Sequence, residues 1–168
     1  MPTAVLTSVA QYLSTSFRPD REFLDGIIAE RNVGEFDHSR LQSLLTIYLG
    51  MREKQWGILV LTEQRVQVKP TRFRIPDVCV VKSPHTGEQI LNKPPLLCIE
   101  ILSKDDRLSE MQDRIDDYLE FGVRSVWLLD PRKKRGFLYT EGGMTEPADR
   151  VLRLESSEIT IPFDEIFT

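Results

Sequence analysis

Between Leu96 and Leu129 the chain alternates in a way that leaves few folds open. An apolar stretch, Leu96-Leu97-Cys98-Ile99-Glu100-Ile101-Leu102, leads into a charged segment and then a second apolar stretch, Ser125-Val126-Trp127-Leu128-Leu129, closed by Asp130-Pro131. The first stretch reads as a strand apolar on both faces, which belongs in the middle of a sheet. In the charged segment Leu108, Met111, Ile115, Tyr118 and Leu119 fall on one face at helical spacing. This predicts a helix from about Asp106 to Phe121, stopped by Gly122. Strand, helix and strand in about thirty residues form a right-handed crossover between two parallel strands. The chain is therefore expected to be α/β or α+β, with one parallel strand pair joined through a helix.

The flanking segments carry weaker signals. Ser8 to Leu13 is a candidate short helix. Arg21 to Leu24 and Ile27 to Arg31 flank Asp25-Gly26, a dipeptide that favours a hairpin turn. Asp37 is the expected N-cap of a helix that carries Leu41, Leu44, Leu45, Tyr48, Leu49 and Arg52 and ends near Trp56-Gly57. The period then falls to two, so Ile58 to Leu61, Arg65 to Lys69 and Arg74 to Val81 read as strands. Gly136 to Thr140 opens a polar hairpin region, and Ile159 to Phe167 adds a short strand and an apolar plug.

The chain has 168 residues, 40% apolar and 29% charged, enough for one buried core, and a single domain over residues 1–168 is expected. No apolar run approaches the roughly 18–20 residues that span a bilayer. The stretch from Met1 to Ser16 lacks the basic and apolar regions of a leader, so a soluble, cytoplasmic protein is expected. Two cysteines, Cys79 and Cys98, are too few for a disulfide scaffold and read as buried free thiols. A net charge of −4 argues against an indiscriminate nucleic-acid coat. That charge is unevenly spread. Six basic residues face three acids from Glu63 to Pro94, eight acids face three bases from Glu100 to Glu120, and Arg132-Lys133-Lys134-Arg135 follows.

Glu100 is the anomaly in this pattern, because a carboxylate inside an apolar strand is costly unless it is paired, protonated or bound to a cation. A structural salt bridge would satisfy it, and a second acid sharpens the alternative. Antiparallel pairing that sets Asp77 opposite Glu100 also sets Cys79 opposite Cys98 and Val81 opposite Leu96. Opposed carboxylates about 5 Å apart repel, and they imply either a shared proton or a divalent cation between them. A donor set of hard oxygens fits Mg²⁺ best. Arg107, Glu110 and Arg114 share one flank of the predicted helix, from which Arg114 could reach a phosphate. Intrahelical ion pairs are the competing reading of that flank. His38 reads as a residue that caps or packs at a helix start, and His85 as a loop residue. The Arg132–Arg135 run reads as a charged turn, with contact to DNA phosphates as the alternative.

In this order, Arg74-Ile75-Pro76-Asp77-Val78, Ile99-Glu100-Ile101-Leu102-Ser103, Tyr118-Leu119-Glu120-Phe121-Gly122-Val123 and Val126-Trp127-Leu128-Leu129-Asp130-Pro131 resemble the Uma-type restriction endonucleases of the PD-(D/E)xK superfamily. The likeness runs from Glu22-Phe23-Leu24-Asp25-Gly26 and His38-Ser39 to Ile166-Phe167. It implies a restriction-endonuclease-like core, a mixed central sheet flanked by helices with an N-terminal β-hairpin. The implied activity is Mg²⁺-dependent (or Mn²⁺-dependent) hydrolysis of DNA, with a homodimer by analogy. Carried over by position, Asp77 and Glu100 become metal ligands, with the backbone carbonyl of Ile101 as a third and Glu30 as a candidate fourth. The sequence departs from the pattern at two positions. Leu102 stands where the motif has Lys, and Arg114 stands where the family has a Lys four residues before the helix Tyr. Arginine keeps charge and donors but cannot serve as a general base. The resemblance therefore gives Arg114 the role of stabilising charge on the phosphate, with Lys104 as a fallback phosphate contact. The competing expectation is a weakened or silent nuclease-fold protein that acts as a DNA-binding or protein-interaction module.

Overall fold

A computed structural model describes residues 5–32 and 34–168. Residues 1–4, where the stretch read as lacking a leader begins, lie outside the described residues. In chain order the elements are α1 (Val9–Ser14), β1 (Glu22–Leu24), β2 (Ile27–Ala29), α2 (Phe36–Gly50), α3 (Glu53–Trp56) and β3 (Ile58–Thr62). Then come β4 (Val66–Lys69), β5 (Arg72–Arg74), β6 (Val78–Lys82), β7 (Leu97–Ile101), α4 (Leu108–Phe121) and β8 (Ser125–Asp130). The chain closes with β9 (Arg135–Thr140), β10 (Gly143–Thr145), β11 (Val151–Arg153), β12 (Thr160–Pro162) and a 3₁₀ turn (Phe163–Glu165).

Six strands form the main sheet in the order β10-β9-β8-β7-β6-β3, which puts the apolar β7 at its centre. β7 and β8 pair in parallel, as a crossover through α4 requires, and the neighbouring pairs in this sheet are antiparallel. Alternation along β7 splits the core in two. Leu97, Ile99 and Ile101 pack with Leu41, Leu45 and Leu49 of α2 and with Phe163 and Ile166 near the C-terminus. Cys98 packs on the other face with Met111, Ile115 and Tyr118 of α4. Glu100 alternates with Ile99 and Ile101, so it lies on the α4 face.

A smaller antiparallel sheet, β2-β1-β5-β4, carries the N-terminal hairpin. Asp25 and Gly26 form its turn with φ of 52° and 98°, left-handed values that Asp tolerates and Gly adopts freely. Phe23, Phe73 and Tyr12 form a separate aromatic cluster in this region. The expected strand from Arg74 to Val81 is split. Arg74 ends β5 in the small sheet, and Val78 begins β6 in the large one. Pro76 has no N–H to offer a ladder, so the chain changes sheets there without losing a backbone donor.

Two helix boundaries also differ from expectation. The N-cap of α2 is Glu35, and Asp37 lies inside the first turn. The helix stops at Gly50 and a separate turn, α3, ends at Gly57 with φ of 63°. At the break the Arg52 guanidinium stacks 3.7 Å from the Tyr48 ring centre and donates to the Tyr48 carbonyl at 2.8 Å. Among the described residues no helix is long and apolar enough to cross a membrane.

Candidate active site

The β6–β7 ladder pairs Val78 with Ile99, Cys79 with Cys98 and Val80 with Leu97. This is the expected register, and it carries Asp77 to the position opposite Glu100, one residue before β6 begins. Because the chain leaves the strand at Asp77, the Ile101 amide has no backbone partner on that side. The Asp77 side chain supplies one, with Oδ2 accepting from the Ile101 N–H at 2.8 Å. Cys79 and Cys98 face each other as buried free thiols. Burial pushes the Cys79 thiol up to about 12, so it is inert as a nucleophile.

Asp77 is approached from α2 and from the hairpin side. Its Oδ1 accepts from Arg31 Nη2 at 3.1 Å and lies 3.3 Å from His38 Nε2. Burial would raise its pKa, but His38, Arg31 and the Ile101 amide outweigh that and hold it below the usual carboxylate range. The same contact raises the pKa of His38, against its burial.

Glu100 has the opposite environment. It is fully buried, and burial pushes its pKa up to about 8, helped by the charges of Asp77 and Glu22 and opposed by Arg114. Tyr118 donates its hydroxyl to Oε1 at 2.7 Å, while Arg114 Nη1 stands 3.5 Å from Oε2. Two neighbouring acids thus have different surroundings, one a guanidinium, an imidazole and an amide, the other a phenol and a distant guanidinium.

Arg114 turns inward from α4 and bridges two acids. Nη2 lies 3.4 Å from Glu22 Oε2. Burial opposes its charge, yet Glu100 and Glu22 hold the guanidinium protonated above its usual range. Glu22 itself accepts from the Ile75 N–H at 3.0 Å and from Arg74 Nη1 at 2.9 Å. Arg74 in turn donates Nε to the buried Asp117 at 2.7 Å, and Arg72 donates to the same carboxylate at 2.9 Å. A continuous charged network therefore ties the small sheet to α4 and the centre of the main sheet.

The remaining expected residues are placed elsewhere. Glu30 is not drawn in: its side chain is 77% exposed and pairs with Arg21 at 3.0 Å. Glu22, on the other strand at the same open end of the hairpin, is the acid that enters the cluster. Lys104 is exposed and pairs with Glu35 at 2.8 Å. Arg107 and Glu110 pair with each other on the surface at 3.9 Å, as the intrahelical reading of that flank had it. Leu102, in the position of the motif Lys, packs against the α4-side core. His85 is a loop residue, accepting from the Gly87 N–H at 3.0 Å. The Arg132–Arg135 run is a turn closed by Asp130 Oδ1, which accepts from the Arg132 and Lys133 amides at 3.0 and 3.1 Å.

Sequence reading missed Glu22, Arg31, His38 and Asp117 as partners. Glu22 adjoins the apolar pair Phe23-Leu24, while Arg31, His38 and Asp117 sit among polar neighbours, and neither setting says which charge a side chain will meet. Among the described residues no cluster of three or more His, Cys, Asp or Glu side chains is placed to hold a metal. The carboxylates that the register sets opposite each other, Asp77 and Glu100, are nevertheless hard oxygen donors. Mg²⁺ is ordinarily held by one or two carboxylates, with water and substrate phosphate completing its shell, so the residues present fit such an ion.

A mixed sheet with a helix on each face and paired acids at one end of its central strand defines the restriction-endonuclease-like class. The family model for Uma2, described as a putative restriction endonuclease, matches residues 10–163, and the chain belongs to this family. Among solved structures it is similar to a putative nuclease from Anabaena variabilis, at 23% identity and a TM-score of 0.82, over 94% of this chain and 96% of that one. It is also similar to part of a DrdV–DNA complex, at 16% identity and a TM-score of 0.39, over 66% of this chain and 12% of that one. None of the curated proteins matches it.

Proposed function

We propose that the chain is a divalent-cation-dependent endonuclease that hydrolyses phosphodiester bonds of DNA, with residues 1–168 as one nuclease domain. The observation that carries this reading is the pair of buried acids at the end of the central strand, with Glu100 left short of compensating charge. A bound Mg²⁺, or Mn²⁺ in its place, would be held by Asp77, Glu100 and the Ile101 carbonyl and would supply Lewis-acid polarisation of a phosphate and a lowered pKa for water. The protein's own groups prepare the rest. Arg31, His38 and the Ile101 amide hold the Asp77 carboxylate ionised and fixed in orientation. Tyr118 orients Glu100. Arg114 offers a permanent positive charge to the negative charge that develops on a phosphate during displacement. Cutting both strands of a duplex calls for two such centres, and by that analogy a homodimer is the working form.

The guanidinium of Arg114 also supports a second reading. It already bridges Glu22 and Glu100, so it partly neutralises the acids that a cation would need. A silent nuclease-fold protein that binds DNA or another protein would carry such a self-compensated site. One experiment separates the two readings. Supercoiled plasmid is incubated with Mg²⁺ or Mn²⁺ and the wild type, Asp77→Ala or Glu100→Ala. The nuclease reading expects nicking by the wild type alone. Equal cleavage by all three would place the activity elsewhere, and no cleavage by any would favour the silent module.

A further inference from the structure

On the α2 side of Asp77, and bordered by it, lies a cavity of about 130 Å³ lined among others by Arg31, Asn32, Gly34, His38 and Ser39, whose open space the reaction above leaves unassigned. Three independent observations converge on it. The first concerns α2, a helix of 15 residues whose N-cap, Glu35, makes no capping hydrogen bond. The Glu35 carboxylate is instead engaged by Lys104 at 2.8 Å. The first-turn amides therefore lack a side-chain cap, and such a helix start attracts anions.

The second is His38. It is 8% exposed, and its Nδ1 has no hydrogen-bond partner among the described residues, while Nε2 faces Asp77. A buried polar atom left without a partner costs free energy that a ligand or a bound water would recover. The third is Gly34. A Cβ there would come within 2.6 Å of Ser39 Oγ and 3.8 Å of His38 Nδ1, so the missing side chain leaves open the space between these two polar atoms.

Charge in the cavity is mixed. Arg31 is positive and its side chain is 11% exposed, while Glu63 at the edge is half-exposed and also faces Arg31, at 3.9 Å. Asp77 is negative but already engaged by Arg31, His38 and the Ile101 amide, and Asp37 lies in the first turn of α2. What remains unengaged in the cavity is Ser39 Oγ and His38 Nδ1, the Ser39 amide being spent on the Glu35 carbonyl at 2.9 Å.

We propose that this cavity is a phosphate subsite, holding a phosphoryl group of a nucleic-acid strand through Ser39 Oγ and Arg31, with the His38 ring as its inner wall. His38 meets that group in either ring form, donating directly when charged and through a shared water when neutral. The proposal rests on reading the neighbouring acids as a nuclease centre, since a strand bound here would present its adjoining phosphate to Asp77 and Glu100.

The test uses the full chain without divalent metal and inorganic phosphate as the probe. Titration at constant ionic strength should shift the His38 ring and Ser39 amide resonances of the wild type. Gly34→Ala fills the cradle and should weaken that response roughly tenfold or more, the loss expected for a charge-assisted hydrogen bond. Ser39→Ala keeps the space open, removes one donor and should weaken it less; it serves if Gly34→Ala does not fold. In anisotropy titrations of a labelled oligonucleotide against salt, Gly34→Ala should lower the slope by about 0.7–0.9, one phosphate contact. Equal affinity for 5′-phosphorylated and 5′-hydroxyl strands assigns an internal phosphodiester, and a preference for the phosphorylated strand assigns a strand end. A wild-type His38 ring that ignores phosphate, or variants that bind both strands like the wild type, overturns the subsite. Plasmid cleavage is scored separately. Cleavage with a silent His38 sinks the subsite and leaves the nuclease reading standing, and a Gly34-dependent phosphate response without cleavage does the reverse.

Discussion

Replacing Glu100 with Gln in the metal-free protein should stabilise it, by an amount that depends on pH. Glu100 is fully buried, and its pKa rises from 4.5 to about 8 on folding. A carboxyl with a raised folded-state pKa contributes its full stability below the unfolded value, here 4.5, and loses it as pH climbs through the folded value, here about 8. Each pH unit inside that window costs about 1.4 kcal/mol, so at pH 7 the loss is about 3 kcal/mol. Glutamine is nearly the same shape, can still accept from Tyr118 and carries no charge at any pH, so it removes this dependence. Denaturant unfolding in EDTA at pH 5, 6, 7 and 8 measures the difference between variant and wild type. That difference should be small at pH 5 and reach about 3 kcal/mol at pH 7, equivalent to roughly 6–12 °C in Tm for a chain of this size. His38, whose pKa is also raised, loses stability over an overlapping range, but it is present in both proteins and its contribution largely cancels in the subtraction. A stability difference that does not change with pH would refute the reasoning, because it would mean that Glu100 does not change its proton affinity on folding.

Other consequences follow from the same geometry. Arg114→Lys supplies the residue type that the resemblance implies at this position, and in the plasmid assay it should raise the nicking rate markedly; an unchanged rate would mean that the guanidinium does not restrain the site. Asp117→Asn strips the carboxylate from the guanidinium donors of Arg74 and Arg72 and should cost about 3–5 kcal/mol in denaturant unfolding, the usual effect of breaking a buried ion pair. Gly136→Ala would bring a Cβ within 2.9 Å of both Leu129 and Phe163 side chains and should cost about 1–3 kcal/mol by overpacking; a neutral effect would show that the contact between β9 and the C-terminal segment yields easily.

Much of the fold was legible because its signals are local. The apolar runs of β7 and β8, the one-sided stripe of α4 and the Asp25-Gly26 turn are all properties of adjacent residues. The register of β6 on β7 was also legible, since Cys79 opposite Cys98 and Asp77 opposite Glu100 follow from one alternation. Legibility stopped where the chain changes partners. Nothing in Arg74-Ile75-Pro76-Asp77-Val78 says that its first residue belongs to one sheet and its last to another. The hairpin shows the same limit. Glu22 and Ala29 pair across it, and both Glu22 and Glu30 are acids at its open end. Packing against α4 buries Glu22 and leaves Glu30 to the solvent.

The sequence by itself determined the strands and helix of the parallel crossover and the two acids at one end of the central strand, because periodicity and pairing register are written in residues close along the chain. Only the tertiary structure decided what meets those acids. Arg114 reaches Glu22 across 92 residues of chain, and Arg31 reaches Asp77 across 46. No local pattern encodes such contacts. A buried charge must find its counter-charge wherever helix and sheet packing brings one within reach, and that packing sets Asp77 against Arg31 and His38 and leaves Glu100, opposite it in register, short of charge.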